Sequence, residues 1–112
     1  MTELTDKERH DLFTRTISLK PKIIGLDGIV LSTAESNLFL GPKIVRQPDN
    51  LLFNPATRTI YNLEYKTKLS SSSYQHSLVQ LDSCRDNLLR VFPDWRIVNL
   101  FVYENYKFEI VR

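Results

Sequence analysis

The sequence predicts an α/β fold with a mixed β-sheet of about five strands flanked by helices. Residues 49–54 and 59–66 are largely apolar segments on either side of an Asn-Pro-Ala-Thr-Arg turn, a pattern typical of a β-hairpin. Residues 74–92 place leucines on one helical stripe, and residues 95–103 are almost continuously apolar, as in a strand buried on both faces. This strand–helix–strand order predicts a right-handed crossover between parallel strands.

Length and composition limit the number of domains and the expected location of the protein. The chain has 112 residues, 42% of them hydrophobic, so we expect a single domain over residues 1–112. A membrane span is not expected, because no run of about 18 apolar residues occurs. The charged first eight residues lack a signal-peptide core, and Cys84 has no second cysteine to pair with. These features favour a reducing intracellular location, cytoplasmic or nucleoid-associated, rather than secretion.

The first half of the chain contains two helix-start patterns. Thr5 with Glu8 forms a capping box that predicts a helix over residues 6–18. Its inner side would carry three apolar residues, Leu12, Phe13 and Ile17, and Pro21 would end it. Residues 32–35 repeat the capping pattern and predict a short helix through residues 37–40.

Strands are predicted around these helices. Residues 22–31 form a β-rich segment with a turn at Asp27-Gly28. Residues 43–46 form a short strand leading into the hairpin, and the serine-rich residues 67–73 form a connector able to cap the next helix. Residues 106–111 alternate apolar with charged side chains, which is typical of an edge strand with one wet face.

Charged residues converge at one end of the hairpin. Asp49 opens the first strand, while Glu64 and Lys66 close the second and share one face. Carboxylates are hard oxygen ligands suited to Mg²⁺ or Mn²⁺, and the Tyr65 carbonyl could add a third oxygen. A bound ion would polarise a phosphate and acidify a water, and Lys66 could orient that water. The pattern therefore predicts metal-dependent phosphodiester hydrolysis.

Pro48-Asp49 followed by Glu64-Tyr65-Lys66 resembles the motif of the PD-(D/E)XK nuclease superfamily. Its members include restriction endonucleases, archaeal Holliday-junction resolvases and RecB-like exonucleases. The resemblance implies a restriction-endonuclease-like core and a Mg²⁺ or Mn²⁺ cofactor. It assigns catalysis to Asp49, Glu64 and Lys66, and implies a nucleic-acid substrate, with DNA favoured.

Three further residues are accessory candidates through the same resemblance. The first helix of the family often supplies a glutamate to the metal site, and Glu8 could hold that role. Glu35 is the rival candidate, close to Asp49 in sequence. RecB-like nucleases carry a glutamine-leucine pair in the helix after the Glu-x-Lys strand, and Gln80 with the following leucine is similar. The tyrosine that usually follows in that group is absent, since Cys84 and Arg85 occupy its region.

The net charge of +2 gives no strong indication of nucleic-acid binding, but basic residues cluster near the motif. The candidates for phosphate contact are Lys43, Arg46 and Lys68. One small domain offers little contact surface, so a homodimer formed through the last strand or the long helix could enlarge it.

Two alternatives to a nuclease stay open. The chain could be a catalytically inactive nuclease-fold binding or structural module, with the motif as an ordinary charged cluster, or a domain that pairs through its edge strand. Other sites are disfavoured: no glycine-rich phosphate loop occurs, and His10 and His76 are too few and too far apart for a zinc site. Cys84 lies on the apolar stripe and is predicted to be core.

Overall fold

The computed structural model describes residues 3–35, 38–40, 43–46 and 48–111, with side chains described for 3–35 and 48–111. Its elements, in chain order, are α1 (Asp6–Leu19), a 3₁₀ helix (Pro21–Ile24), β1 (Leu31–Ala34), β2 (Leu38–Leu40), β3 (Lys43–Arg46), β4 (Asn50–Asn54), β5 (Thr59–Lys66), α2 (Ser71–Val91), β6 (Arg96–Tyr103) and β7 (Lys107–Val111). The prediction of an α/β fold with a five-stranded mixed sheet and helices is confirmed.

The main sheet has the strand order β1-β4-β5-β6-β7. β5 and β6 pair in parallel, as the predicted crossover through α2 requires, and the other neighbours are antiparallel. β7 is confirmed as an edge strand. β3 is confirmed as a strand, but it pairs with β2 in a separate two-stranded sheet instead of leading directly into the hairpin.

Helices pack on both faces of this sheet. On one face, alternate residues of β4, β5 and β6 pack against Ile17 of α1 in one buried cluster. Leu52, Leu63 and Tyr65 are among these strand residues. The intervening residues face α2, where Leu51 and Ile60 meet Cys84 and Leu88. Cys84 is therefore a core residue, as predicted. None of the helices in the described ranges is long and apolar enough to cross a bilayer.

The α1 capping box is confirmed, but the predicted inner face is partly wrong. Thr5 Oγ1 accepts the Glu8 amide at 3.1 Å, and Glu8 Oε1 accepts the Thr5 amide at 3.2 Å. Ile17 is buried, whereas Leu12 is 52% exposed on the outer side. The inward-facing residues of α1 are Phe13, Thr14 and Ile17. One turn before Phe13, the same stripe of the helix passes through position 10.

The predicted strand over residues 22–31 is wrong for most of its length. Pro21 starts a 3₁₀ helix, since its ring presets the helical φ, and Gly25 ends it at φ +76°. Gly28 also has positive φ, and a Cβ there would lie 2.9 Å from Asn54 Nδ2. Strand pairing begins only near Leu31, where the chain meets β4.

The predicted second capping box and short helix are also wrong. Ser32 and Thr33 belong to β1, and Leu38–Leu40 is a strand; residues 36 and 37 lie outside the described ranges. The hydroxyl of Ser32 donates to the Ser18 carbonyl at 2.6 Å, and that of Ser18 donates to the Thr33 carbonyl at 2.7 Å. These contacts to α1 use the groups that would otherwise cap a helix.

The second half of the chain agrees closely with the prediction. The hairpin and its turn are confirmed, with the Thr57 amide donating to Asn54 Oδ1 at 3.3 Å. α2 starts three residues earlier than predicted, because Ser70 accepts the Ser73 amide and caps it. The last three residues of the serine-rich segment 67–73 are therefore helical, and Ser70 caps the helix as predicted.

Candidate metal centre

Three carboxylates lie side by side at the end of the sheet. The register Ala34↔Asn50↔Leu63 makes the next row across β1, β4 and β5 Glu35, Asp49 and Glu64. The Glu35 amide donates to the Asp49 carbonyl at 2.8 Å, so the row continues past the last strand pair. We call these three residues the acidic row.

Asp49 is the best-held member of the acidic row. Its side chain is buried, and Oδ2 accepts the Tyr65 amide at 2.6 Å. Burial opposes its ionisation, but hydrogen bonds with His10, Glu64 and the Tyr65 amide outweigh burial and hold the pKa of Asp49 below its ordinary value. Asp49 is thus held as a carboxylate in a largely dry position.

Asp49 and Glu64 lie side by side across β4 and β5. Each is buried, at 8% exposure, and a side-chain hydrogen bond with Glu64 is among the causes that hold the pKa of Asp49 low. Neighbouring carboxyl groups are the oxygen ligands that hard divalent cations prefer, so the chemistry of this pair fits a metal ion.

The Tyr65 backbone also faces Asp49. In a strand, the N–H and C=O of one residue point to the same neighbouring strand. Since the Tyr65 N–H reaches Asp49 beyond the end of β4, its carbonyl is directed to the same side. The predicted third oxygen is therefore suitably placed beside the acidic row.

Sequence reasoning missed His10. Its Nε2 lies 3.2 Å from Asp49 Oδ2, and its Nδ1 lies 3.2 Å from Glu35 Oε1 and 3.8 Å from Asp11 Oδ1. The hydrogen bond to Asp49 raises the pKa of His10; burial opposes the shift, and the charges of Asp49, Glu35 and Asp11 add to it. The available signal was the inward stripe of α1, because His10 lies three residues before Phe13 and seven before Ile17.

A buried asparagine places α1 over this end of the sheet. Asn50 is fully buried, and its Nδ2 donates to the Thr14 carbonyl at 2.8 Å and to the Thr33 carbonyl at 3.1 Å. α1, β1 and β4 are thereby joined one residue from Asp49. His10 is one helical turn before Thr14, so it lies over the acidic row.

The two candidates for an accessory glutamate are separated by the structure. Glu35 stands in the acidic row, and burial followed by a side-chain hydrogen bond to Asp11 raises its pKa. His10, Asp11 and Glu35 present ligand atoms within 4.8 Å of one another. Glu8 instead remains exposed in its capping box, hydrogen-bonded to Thr5.

Lys66 lies next to the acidic row. It is half-buried at the end of β5, two residues beyond Glu64 and on the same face. Within residues 3–35 and 48–111, its ammonium group forms no ion pair. Its place on the Glu64 face of β5 would put this charge next to an anion bound there.

The remaining predicted residues belong to α2, to the segment after β5 and to β3. Gln80 is half-buried on α2, beside Leu81, whose carbonyl accepts Asn62 Nδ2 at 3.1 Å. Lys68 is exposed between β5 and α2. Lys43 and Arg46 belong to β3, and their side chains lie outside the described residues.

Comparison of the chain with protein-family models, with curated proteins and with solved structures finds no match.

Proposed function

We infer that this chain is a metal-dependent nuclease with a restriction-endonuclease-like core, using Mg²⁺ or Mn²⁺ to hydrolyse phosphodiester bonds in nucleic acid, with DNA favoured. The observation that carries this proposal is the placement of the buried Asp49 and Glu64 side by side at the end of β4 and β5, next to Lys66. Paired carboxylates at a partly open sheet end are the ligand type that binds hard divalent cations.

Each residue has a distinct proposed role. Asp49, Glu64 and the Tyr65 carbonyl would hold the ion, with Glu35 beside them as the accessory carboxylate. When bound, the ion supplies Lewis acidity toward a phosphate oxygen and a water. Lys66 orients the attacking water and stabilises negative charge on the phosphate. His10 keeps Asp49 and Glu35 in place through its two ring nitrogens.

The substrate would be held chiefly through its backbone. Lys43, Arg46 and Lys68 are the proposed phosphate contacts, since each lies close to the hairpin in sequence. A homodimer would double this small surface. An intracellular location fits the proposed substrate.

An inactive binding or structural module is the second candidate. The contact of His10 with Asp49 and Glu35 favours it, because an imidazolium between two carboxylates compensates their charge without any metal. The two candidates differ in one measurable respect, which is cleavage.

The test is cleavage of linear, single-stranded and four-way-junction DNA, and of RNA, by wild type and Lys66→Ala with Mg²⁺ or Mn²⁺. We expect Lys66→Ala to cut about 10²–10³-fold more slowly, because it loses a charge that acts in the transition state. Its DNA affinity should fall only as one phosphate contact does. Lys7→Ala, which removes an exposed lysine from α1, should cut like wild type.

Two results would contradict the nuclease. Equal cleavage by wild type and Lys66→Ala would indicate a contaminating enzyme. DNA binding without cleavage in either metal would favour the inactive module.

A further inference from the structure

The outer edge of β7 carries exposed apolar side chains. Phe108 is 46% and Ile110 67% exposed, although they pair with the buried residues Val102 and Leu100 of β6. They lie on the same face as α1, which covers β4, β5 and β6 more than this edge. An exposed edge strand with an apolar face is a template for another strand.

Backbone directions can be followed across the sheet from two contacts. The Tyr65 N–H reaches Asp49, so Tyr65 points toward β4, and the residues beside it point toward β6. The Lys66 carbonyl confirms this alternation, because it accepts the Glu104 amide at 3.2 Å on the β6 side. Glu64, which faces Phe101 in the parallel register, therefore bonds to the residues on either side of Phe101.

Phe101 then directs its own backbone groups to β7. Its antiparallel partner is Glu109, which bonds inward, as do Lys107 and Val111. Phe108 and Ile110 alternate with them, so their N–H and C=O groups point away from the sheet. The residues with exposed apolar side chains are thus the ones whose backbone groups can pair with a further strand.

The charged side chains of β7 favour a second β7 as its partner and favour one register of that pair over another. A second antiparallel β7 with its two-fold axis at Phe108 puts Lys107 opposite Glu109 of the second copy, twice over. With the axis at Glu109, two glutamates would face each other. Opposite charges in directly facing positions stabilise a strand pair and like charges destabilise it.

We propose that two copies of this chain associate through antiparallel β7 strands about a two-fold axis at Phe108. Phe108 exchanges both backbone hydrogen bonds with its equivalent, and two Lys107–Glu109 pairs flank it. The two five-stranded sheets become one continuous sheet. The pairing gives the proposed dimer a specific surface and does not depend on the chemistry of the acidic row.

One consequence rests on the proposed function. A two-fold axis perpendicular to the sheet leaves both acidic rows on the same face, with the two Glu64 residues five strand intervals apart. At about 4.8 Å per interval and with a two-residue offset along the strands, these nearest members of the two rows are about 25 Å apart. This matches roughly seven nucleotides along a duplex strand at about 3.4 Å each, so one duplex could contact both sites.

Charge reversal at β7 tests the register. Wild type should sediment at twice the chain mass of 13.1 kDa at about 100 µM, since an interface of this size is weak. Lys107→Glu and Glu109→Lys, each alone, should weaken dimerisation about tenfold, because attractive pairs become repulsive. The double exchange should restore most of the dimerisation, although it also removes the Lys107–Glu104 ion pair that each chain holds at 3.0 Å. Lys7→Glu is the matched control, with the same charge change on an exposed part of α1.

Amide hydrogen exchange provides a second readout that does not depend on side-chain charge. The Phe108 and Ile110 amides should be protected only at dimer concentrations, and the Lys107 and Glu109 amides at all concentrations. A monomer at about 100 µM would contradict the proposed dimer. If that monomer still cleaves nucleic acid, the proposed nuclease function is unaffected. A dimer unaffected by both single reversals places the contact elsewhere and overturns the β7 register.

Discussion

The two ends of the β4–β5 hairpin bury side chains of opposite character. Near its turn, Phe53 packs edge-on against Phe92 and Trp95, with ring centroids 6.0 and 6.2 Å away. At the other end, two carboxylates, Asp49 and Glu64, are buried. The apolar end gains free energy by leaving water, whereas the charged end loses it unless hydrogen bonds or a cation compensate.

This difference separates stability from chemistry within one hairpin. Aromatic and aliphatic packing at the turn end can hold the register of β4 and β5 without help from the acidic row. That register is what brings Asp49 opposite Glu64. Substitutions at the two ends should therefore have different consequences, and the predictions below are ordered by expected size.

The largest effect on stability is expected at the apolar end. Leu88 is 1% exposed in the cluster beneath α2, so Leu88→Ala should lower the free energy of unfolding by about 2–5 kcal/mol through lost burial and a cavity. Urea unfolding measures this. Val79→Ala is the matched control on the same helix, since Val79 is 69% exposed, and it should cost under about 0.5 kcal/mol. A similar loss for both variants would contradict the burial argument.

At the charged end, we expect a smaller effect on stability and a large effect on metal binding. Asp49→Asn keeps an oxygen for the Tyr65 amide but removes the negative charge, so unfolding should change by about 1 kcal/mol. Mn²⁺ binding by titration calorimetry should be lost, because the carboxylate ligand is gone.

Two glutamate variants sharpen this result. Glu35→Gln should weaken Mn²⁺ binding, since Glu35 stands in the acidic row. Glu8→Gln should leave it unchanged, because Glu8 is held in the α1 capping box. Equal Mn²⁺ heats from wild type and Asp49→Asn would remove the metal centre from this end of the hairpin.

The smallest expected effect is on the pH dependence of stability, to which His10 and Asp49 contribute in different pH ranges. The raised pKa of His10 stabilises the fold below about pH 6.5, and this contribution is lost as pH rises through the raised value. The lowered pKa of Asp49 contributes above about pH 3.8 and is lost as pH falls through the lowered value.

Urea unfolding in EDTA across pH 5–9 measures the His10 contribution. We expect wild type to lose stability on the alkaline side of this range and His10→Gln to lose less. His76→Gln, at an exposed position on α2, should retain the wild-type pH dependence. Identical slopes for wild type and His10→Gln would show that the contact with Asp49 does not stabilise the fold.

Local patterns were sufficient for much of the fold. The α1 capping box, the hairpin with its Asn54 turn, the long leucine stripe of α2 and the apolar run of β6 each contain their signal within one short window. The placement of Asp49 next to Glu64 also follows from such a window, because a tight turn joins the two strands. That part of the candidate site was predictable.

Contacts between distant residues decided the rest. Ser32 and Thr33 carry a helix-start pattern, yet they form β1, because Ser18 and Asn50 bind them across 14 to 17 residues. The same packing brings Glu35 opposite Asp49 and His10 over both. The sequence by itself determined the hairpin and its two carboxylates. Only the tertiary structure decided which helix residue and which third carboxylate join them, because those contacts depend on how α1 and β1 pack on β4 and leave no local pattern.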